Sequence, residues 1–337
     1  MWQCPLCKLP LQTHQVDAPE RLLKTWSCEN NHSFDKAKQG YVNLLPVQNK
    51  RSKMPGDDAE MVAARTTFFA RKPYAPLAKK LAELITSIDA RNTDEIHVPR
   101  NFTDATCIPL NIYDSGCGEG YYLEALSMLL SSTELAQKSV QYSFYGHDIS
   151  KAAVLAAAKR NRDKQLVVAT TINIPVLDCS QDIILQIFAP ACPAQYARVL
   201  HSNGVVITVD PAPKHLFELK QIVYEKPEHH QKHHTVLSGF EIREQHHLDF
   251  SVALDNAVVR LALLQMTPFY WKTNEMQRSL IKQNLTKVTA DFIITIWQQS
   301  KVVKTTNVSL AGVSSQIADN IDDKSLQTES MSLEKER

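Results

Sequence analysis

Gly116, Gly118 and Gly120 stand at alternate positions in the run from Leu110 to Tyr122, where the apolar residues of a buried strand give way to helix formers. Glycines at such a junction let the backbone bend tightly and approach a ligand without a Cβ in the way, while the amides opening the next helix attract negative groups. The spacing narrows the ligand. A dinucleotide-binding turn, G-x-G-x-x-G, ends on a small residue so that a pyrophosphate can rest against it. Here Tyr121 holds that position and the order is G-x-G-x-G, which speaks against a pyrophosphate. Asp114 ahead of the first glycine and Asp148 at the end of the next strand-like run, Tyr142 to Asp148, supply two polar handles of the kind a nucleoside needs. Ser115 occupies a position where an apolar residue would be more usual.

A second set of chemistry-bearing residues lies at the front. Cys4-Pro-Leu-Cys7 and Cys28-Glu-Asn-Asn-His32 give C-x2-C-x20-C-x3-H. Two ligand pairs on two turns can close a tetrahedron around Zn²⁺, and about 40 residues with few large apolar side chains need such a staple to fold. The competing reading, a redox C-x-x-C, would call for a βαβ context that is absent here. Four protein ligands leave no position for substrate, so this zinc shapes a surface. Phe34 to Leu45 then interleaves aromatic and basic residues. Such a stretch suits stacking on bases and holding phosphates, or the core of a small module, with Phe34 the better core candidate and Tyr41 open.

The elements around these residues follow from pattern. Asp57-Asp58 offers an N-cap to a helix from Glu60 towards Ala70, and Pro73 to Ile85 carries apolar residues at helical spacing. Ser87 to Pro109 reads as a polar, irregular excursion. From Leu110 strands and helices alternate, the signature of an α/β fold with a parallel sheet covered on both faces. Helices are expected over Tyr121–Leu130 and Lys151–Arg162, and strands over Tyr142–His147, Leu166–Thr170, Ile183–Phe188 and Val205–Val209. In that topology ligands sit beyond the carboxyl ends of the strands, which brings Thr171 to Pro175 and Asp210 to His215 to the ligand side. Gly239–Arg243 and Ala290–Trp297 are β-like and suit an antiparallel closing pair, with Asp255–Gln265 helical between them. The aromatics of Met266 to Trp271 suit either a core or a stacking wall, with core the better reading for most of them. The histidines at 229, 230, 233, 234, 246 and 247 read as part of a polar connection that lacks convincing metal-ligand spacing. The organisation is therefore 1–45 zinc-binding module, 46–109 linker and helical segment, 110–300 cofactor-binding domain, and 301–337 a polar tail expected to be disordered.

At 337 residues the chain holds one large domain and a small module. Lys and Arg total 37 against 36 Asp and Glu, so attraction for nucleic acid must come from local clustering. Residues 1–80 hold 13 Lys and Arg against 7 Asp and Glu, with Lys50, Arg51 and Lys53 grouped in the connector after the zinc module. No apolar run long enough to span a membrane and no signal peptide pattern occur, and seven cysteines with a C-x-x-C pair fit reduced thiols, so a cytoplasmic location is expected.

The glycine turn with its two acids resembles the S-adenosylmethionine turn of class I methyltransferases. Together with Cys-Pro-Leu-Cys at Cys4 to Cys7, the Phe34 to Leu45 stretch, Pro46 to Arg51 and His215 to Lys220, it closely resembles the bacterial 23S ribosomal RNA guanine-N1 methyltransferases over residues 1 to about 300. The resemblance implies a class I methyltransferase (Rossmann-like) sheet with an N-terminal zinc-binding module that recognises RNA, acting as a homodimer on a hairpin of 23S rRNA. It implies Cys4, Cys7, Cys28 and His32 as zinc ligands. It also implies Tyr74, Gly118, Glu119 and His215 as contacts of S-adenosylmethionine, joining Asp114, Gly116 and Asp148 from the turn itself. The gap between Cys7 and Cys28 resembles an insertion in the knuckle. Removing the proton on guanine N1 calls for a base, for which Asp210 and His215 are candidates, and Asp57, Asp58 and Glu60 join them if the linker folds over the site. Two rival readings are a methyltransferase of the same fold acting on a small molecule or protein, and an RNA-binding module without catalysis.

Overall fold

The computed structural model describes residues 1–12, 25–46, 55–95, 109–132, 141–230 and 235–300. The connector with Lys50, Arg51 and Lys53, the histidines at 233 and 234, and the tail 301–337 lie outside the described residues. Residues Met1–Ser300 cluster as one compact unit.

Strands β1 (Thr25–Ser27) and β2 (Ser33–Asp35) form a small antiparallel hairpin whose turn is the second metal-ligand pair. Strand β3 (Val42–Asn43) leaves this module and joins the large sheet, pairing parallel with β6 (Gln165–Val168). The other strands of that sheet are β4 (Leu110–Ser115), β5 (Tyr142–Asp148), β7 (Gln181–Ile187), β8 (Leu200–Pro211), β9 (Phe240–Ala253) and β10 (Lys287–Gln299). Their order is β3-β6-β5-β4-β7-β8-β10-β9, parallel from β3 to β8, with β10 antiparallel to both neighbours. Apart from the extra edge strand β3, this is the class I methyltransferase sheet. The chain steps outward from β4 through β5 to β6, then returns to β7 on the other side of β4. The switch point of the sheet therefore falls at the carboxyl ends of β4 and β7, where ligands of open α/β folds bind.

Helices α1 (Ala59–Phe69), α2 (Ala75–Glu95), α3 (Tyr121–Ser132), α4 (Lys151–Arg160), α5 (Pro193–Val199), α6 (Phe217–Val223), α7 (Ala257–Gln265) and α8 (Glu275–Asn284), with two short 3-10 turns at Thr171–Asn173 and Pro268–Lys272, complete the described elements. One face of the sheet, carrying Ile112, Leu185 and Ile207, packs against residues such as Phe68, Leu81, Leu126 and Val154 of the helices. The opposite face, carrying Tyr113, Ile184 and Val206, is covered by Tyr196 of α5 and by Trp2, Trp26 and Leu44 of the zinc module. Trp2 is the centre of that second layer, with ring centroids 5.6 Å from Trp26, 6.3 Å from Tyr113 and 6.2 Å from Tyr145.

Several expectations shift. Helix α2 runs to Glu95, so the irregular excursion expected from Ser87 begins later, and Ile88 is buried because Leu77, Leu81 and Ile85 continue to it at helical spacing. Helix α4 stops at Arg160, with Asn161 as its C-cap. Strand β9 extends to Ala253 and takes up His246 and His247, which the sequence reads as a polar connection. It is an edge strand whose residues are largely exposed or half-buried, so it lacks the apolar signature of β4. Tyr41, which the sequence leaves open, is 6% exposed, whereas Phe34, the better core candidate, is half-buried. In the Pro268–Lys272 turn Trp271 is 68% exposed and Phe269 and Tyr270 only flank the core, against the expectation that these aromatics fill it. Among the described residues no helix is long and apolar enough to cross a membrane.

Candidate active site and metal centre

Two tight turns build the metal centre. The Lys8 N–H donates to the Cys4 carbonyl and the Asn31 N–H to the Cys28 carbonyl, each at 2.9 Å, with Lys8 and Asn31 in the left-handed region. Each turn thereby brings its pair of ligands to one side. The donor atoms of Cys4, Cys7, Cys28 and His32 lie within 4.8 Å of one another. Cys7 Sγ is 3.5 Å from Cys28 Sγ, and His32 Nδ1 is 3.6 Å from Cys4 Sγ and 3.5 Å from Cys28 Sγ. Zinc–sulfur bonds of about 2.3 Å and zinc–nitrogen bonds of about 2.0–2.1 Å put tetrahedral donors roughly 3.5–3.8 Å apart, so the set fits Zn²⁺ with every position taken by protein.

The glycine turn is fastened to β5. Gly116 and Cys117 donate their N–H groups to the His147 carbonyl at 2.9 Å, and Gly118 donates to Asp148 Oδ2 at 3.0 Å. The other Asp148 oxygen accepts from the Ser150 N–H at 2.8 Å. A Cβ on Gly116 would stand 2.5 Å from Ala189 Cβ, which shows the turn after β4 pressed against the loop after β7 at the switch point. Gly116 and Gly118 have φ of +87° and +54°, a backbone that side chains disfavour. Ser115 is fully buried and its polarity is used, because its Oγ accepts from the Tyr196 hydroxyl at 3.2 Å.

Two carboxylates at this turn are buried: Asp114 Oδ1 makes no hydrogen bond, and Glu119 Oε1 makes none either but faces Arg160 Nη1 at 4.0 Å. Burial first, then Asp148 and Glu119, pushes the Asp114 carboxyl up to about 8. Burial likewise raises Glu119 and Asp148. Such groups are costly unless something satisfies them. A ligand with a positive charge and hydrogen-bond donors meets that need, and S-adenosylmethionine carries both.

The linker folds over the turn. The Asp57 carbonyl accepts from Ser150 Oγ at 2.6 Å, and Arg65 of α1 reaches back to Asp57 Oδ2 at 2.7 Å. Arg65 Nη1 also lies 3.2 Å from the position a Gly118 Cβ would take, and its charge pulls on Glu119 and Asp148. Asp58 caps α1, accepting from the Met61 N–H at 2.8 Å.

The remaining wall is aromatic. Tyr74 is buried with its hydroxyl unpartnered, its ring 5.6 Å from Phe69, 5.2 Å from Phe292 and 6.3 Å from His215. Phe69 in turn stacks on Tyr121 at 4.4 Å. Phe188, at φ +55° and 45% exposed, lies nearly parallel to His215 at 6.2 Å and adjoins Ala189 at the glycine turn. These contacts make one rim out of residues far apart in sequence: turn, Phe188, His215, Tyr74, Phe69 and Tyr121. His215 Nδ1 accepts from the Asp291 N–H at 3.3 Å, which places the proton of the neutral ring on Nε2. Burial holds this imidazole down to about 3, so it is neutral at physiological pH. Asp210 is engaged elsewhere, accepting from Thr235 Oγ1 at 2.6 Å and the Thr235 N–H at 3.3 Å.

The structure thus brings Tyr74 and His215 to the rim of the turn that holds Asp114, Gly116, Gly118, Glu119 and Asp148. Sequence reasoning missed Arg65 and Phe188. Phe188 could have been found as the end of the expected strand Ile183–Phe188, one residue past the observed β7 at the switch point, whereas Arg65 carries no sequence signal.

Comparison with known proteins adds a family. Residues 2–53 match the zinc-ribbon family described as "RlmA, N-terminal". The chain is 31% identical over 290 residues to the "Putative 23S rRNA (guanine-N(1)-)-methyltransferase YxjB" of Bacillus subtilis (strain 168), covering 84% of this chain and 91% of the relative. It is 34% identical over 223 residues to a protein of Micromonospora griseorubida with the same enzyme name, covering 64% of this chain and 68% of that one. A third relative, the "23S rRNA (guanine(748)-N(1))-methyltransferase" of Streptomyces fradiae, is 32% identical over 218 residues, 64% of this chain and 65% of its own.

Proposed function

The chain belongs to the 23S ribosomal RNA (guanine-N1)-methyltransferase family, and from that premise we propose that it methylates N1 of a guanine in 23S rRNA with S-adenosylmethionine as donor. The observation that carries the reading is the glycine turn at the switch point, with Asp114 and Glu119 buried beside it, each with one oxygen that makes no hydrogen bond. In this reading Gly116 and Gly118 admit the donor to the backbone, Asp148 and Glu119 bind its nucleoside and amino-acid ends, and Tyr74 and His215 close the far wall. Zinc is structural, held by Cys4, Cys7, Cys28 and His32.

When bound, S-adenosylmethionine supplies an electrophilic methyl group, and the chain's own residues supply alignment, the main source of rate in such a displacement. Tyr74, Phe69 and Tyr121 exclude water from one side of the rim. Neutral His215 holds its proton at Nε2 and can donate it as a hydrogen bond to an oxygen of donor or base. The guanine N1 proton leaves to a base or to solvent, and base flipping exposes N1. Neither sequence candidate for that base is free: His215 Nδ1 accepts from the Asp291 N–H and burial keeps the ring from taking up a proton, and Asp210 is tied to Thr235.

The division into a module at 1–45, a linker at 46–109 and a catalytic domain at 110–300 suits this reading, as do a hairpin substrate, a homodimer and a cytoplasmic location. The decisive experiment is mass spectrometry of 23S rRNA nucleosides from a strain lacking the gene. Loss of N1-methylguanosine at one site, restored by the gene but not by a Gly118→Arg version, is expected. An unchanged methylation profile would overturn the assignment in favour of a small-molecule substrate.

A further inference from the structure

Beside the rim, past the end of β8, lies a second concavity of about 430 Å³, inside the range of about 300–1,000 Å³ usual for ligand sites. Pro211, Lys220, Tyr224, Lys226, His230 and Phe269 line it. It opens next to the proposed cofactor wall, since the His230 ring is 6.0 Å from that of His215. We propose that this cleft receives the flipped target guanosine of the RNA, with its base against Tyr224 and Phe269 and its phosphate near Lys226. The inference rests on the guanine-N1 reading above and assigns that reading its acceptor pocket.

Three independent features point to a nucleotide. First, the walls are aromatic: Tyr224 and Phe269 meet edge to face at 6.0 Å and 87°. Second, the charge is of one main sign. Lys220 donates from Nζ to the Glu228 carbonyl at 3.1 Å, Lys226 is exposed at the mouth, and Lys272 lies over the Tyr224 ring at 5.6 Å, with the Glu228 carboxylate the one acid in the lining. Cations interleaved with aromatics hold phosphate and base together. Third, the His230 ring leans on the His215 backbone and leaves its buried Nε2 without a well-formed hydrogen bond. Guanine presents both donors and acceptors along its edges, so either tautomer of the ring finds a partner there.

The neighbours keep this arrangement in place. His229, the remaining lining residue, stacks on Phe217 of α6 at 4.1 Å, and the His230 N–H donates to the Pro213 carbonyl at 3.1 Å. The segment that carries His230 is therefore fixed to the same Pro211–His215 turn that brings His215 to the cofactor side. The Pro211–His215 turn is thus common to the cleft and to the cofactor side, with His215 at their border rather than between the reacting atoms.

The test uses the full-length protein, a 23S rRNA fragment, and the variants Phe269→Ala, Lys226→Ala and His230→Gln. Trp271→Ala, an exposed aromatic outside the cleft, serves as control. The expected result is a tenfold or larger fall in kcat/KM for RNA in Phe269→Ala and His230→Gln, and a shallower salt dependence of RNA binding in Lys226→Ala. The calorimetric affinity for S-adenosylmethionine should stay at the wild-type value in all three, and Trp271→Ala should match wild type throughout. Should Phe269→Ala fail to fold, the exposed Lys226 and His230→Gln decide the matter. Wild-type kinetics in the cleft variants, with N1-methylguanosine still formed, overturn the acceptor pocket alone. Failure of the wild-type protein to form N1-methylguanosine overturns the parent reading and this one with it.

Discussion

Asp114 sits at the carboxyl end of the central strand, 2% exposed, with one carboxylate oxygen unpartnered. Its carboxyl, raised to about 8 mainly by burial and then by Asp148 and Glu119, is protonated in the free protein at pH 7. A bound sulfonium cation favours the ionised form and so lowers this value. Binding should therefore release a proton below pH 8, and affinity for S-adenosylmethionine should rise from pH 6 to about 8 and then level. Calorimetry in buffers of different ionisation enthalpy reads the proton directly. The same shift acts on stability with the opposite trend. An unfolded Asp ionises near about 3.9, so between there and about 8 the unfolded state binds fewer protons and the free protein loses stability as pH rises. Asp114→Asn should flatten both profiles; a variant with an unchanged affinity profile would assign the titration to another group.

At the scale of elements, the zinc module is built into the sheet. β3 pairs with β6, the Leu44 N–H donates to the Val168 carbonyl at 2.9 Å, the Gln3 N–H donates to the Pro175 carbonyl at 2.9 Å, and Trp2 is buried between the module and Tyr113. Truncating so large a buried ring costs about 3–5 kcal/mol. Trp2→Ala should show that loss in urea unfolding. Because zinc closes the knuckles that hold this layer, chelation should lower the thermal midpoint and also speed hydrogen exchange at the Leu44 amide, which belongs to the sheet edge. Loss of metal with unchanged exchange at Leu44 would mean that β3 holds without it.

For the molecule as a whole, a net charge of +1 gives no general attraction to RNA, and the basic surplus is concentrated in residues 1–80. Every phosphate that a lysine or arginine no longer neutralises should lower the salt slope of RNA binding by about 0.7–0.9. Neutralising Lys50, Arg51 and Lys53 should therefore weaken binding and flatten its salt dependence in fluorescence anisotropy across a salt series. An enzyme acting on a small molecule would be indifferent.

The glycine turn, the zinc ligands and the alternation of strand and helix were legible in the sequence because each depends on local spacing. Gly116 and Gly118 are demanded by a backbone with positive φ, and C-x-x-C by the reach of two thiolates to one ion. Strand β9 and the last turns of α2 were less legible, since an edge strand needs no continuous apolar face and the sequence thins in apolar residues after Ile88. Tertiary structure alone decided that Arg65 of the linker lies over Gly118, that Phe188 and Tyr74 meet at His215, and that His230 opens a second cleft beside them. Most of these meetings join residues far apart along the chain, and no local propensity encodes them; they follow from the order of strands in the sheet, which brings the carboxyl ends of β4, β5, β7 and β8 to one side.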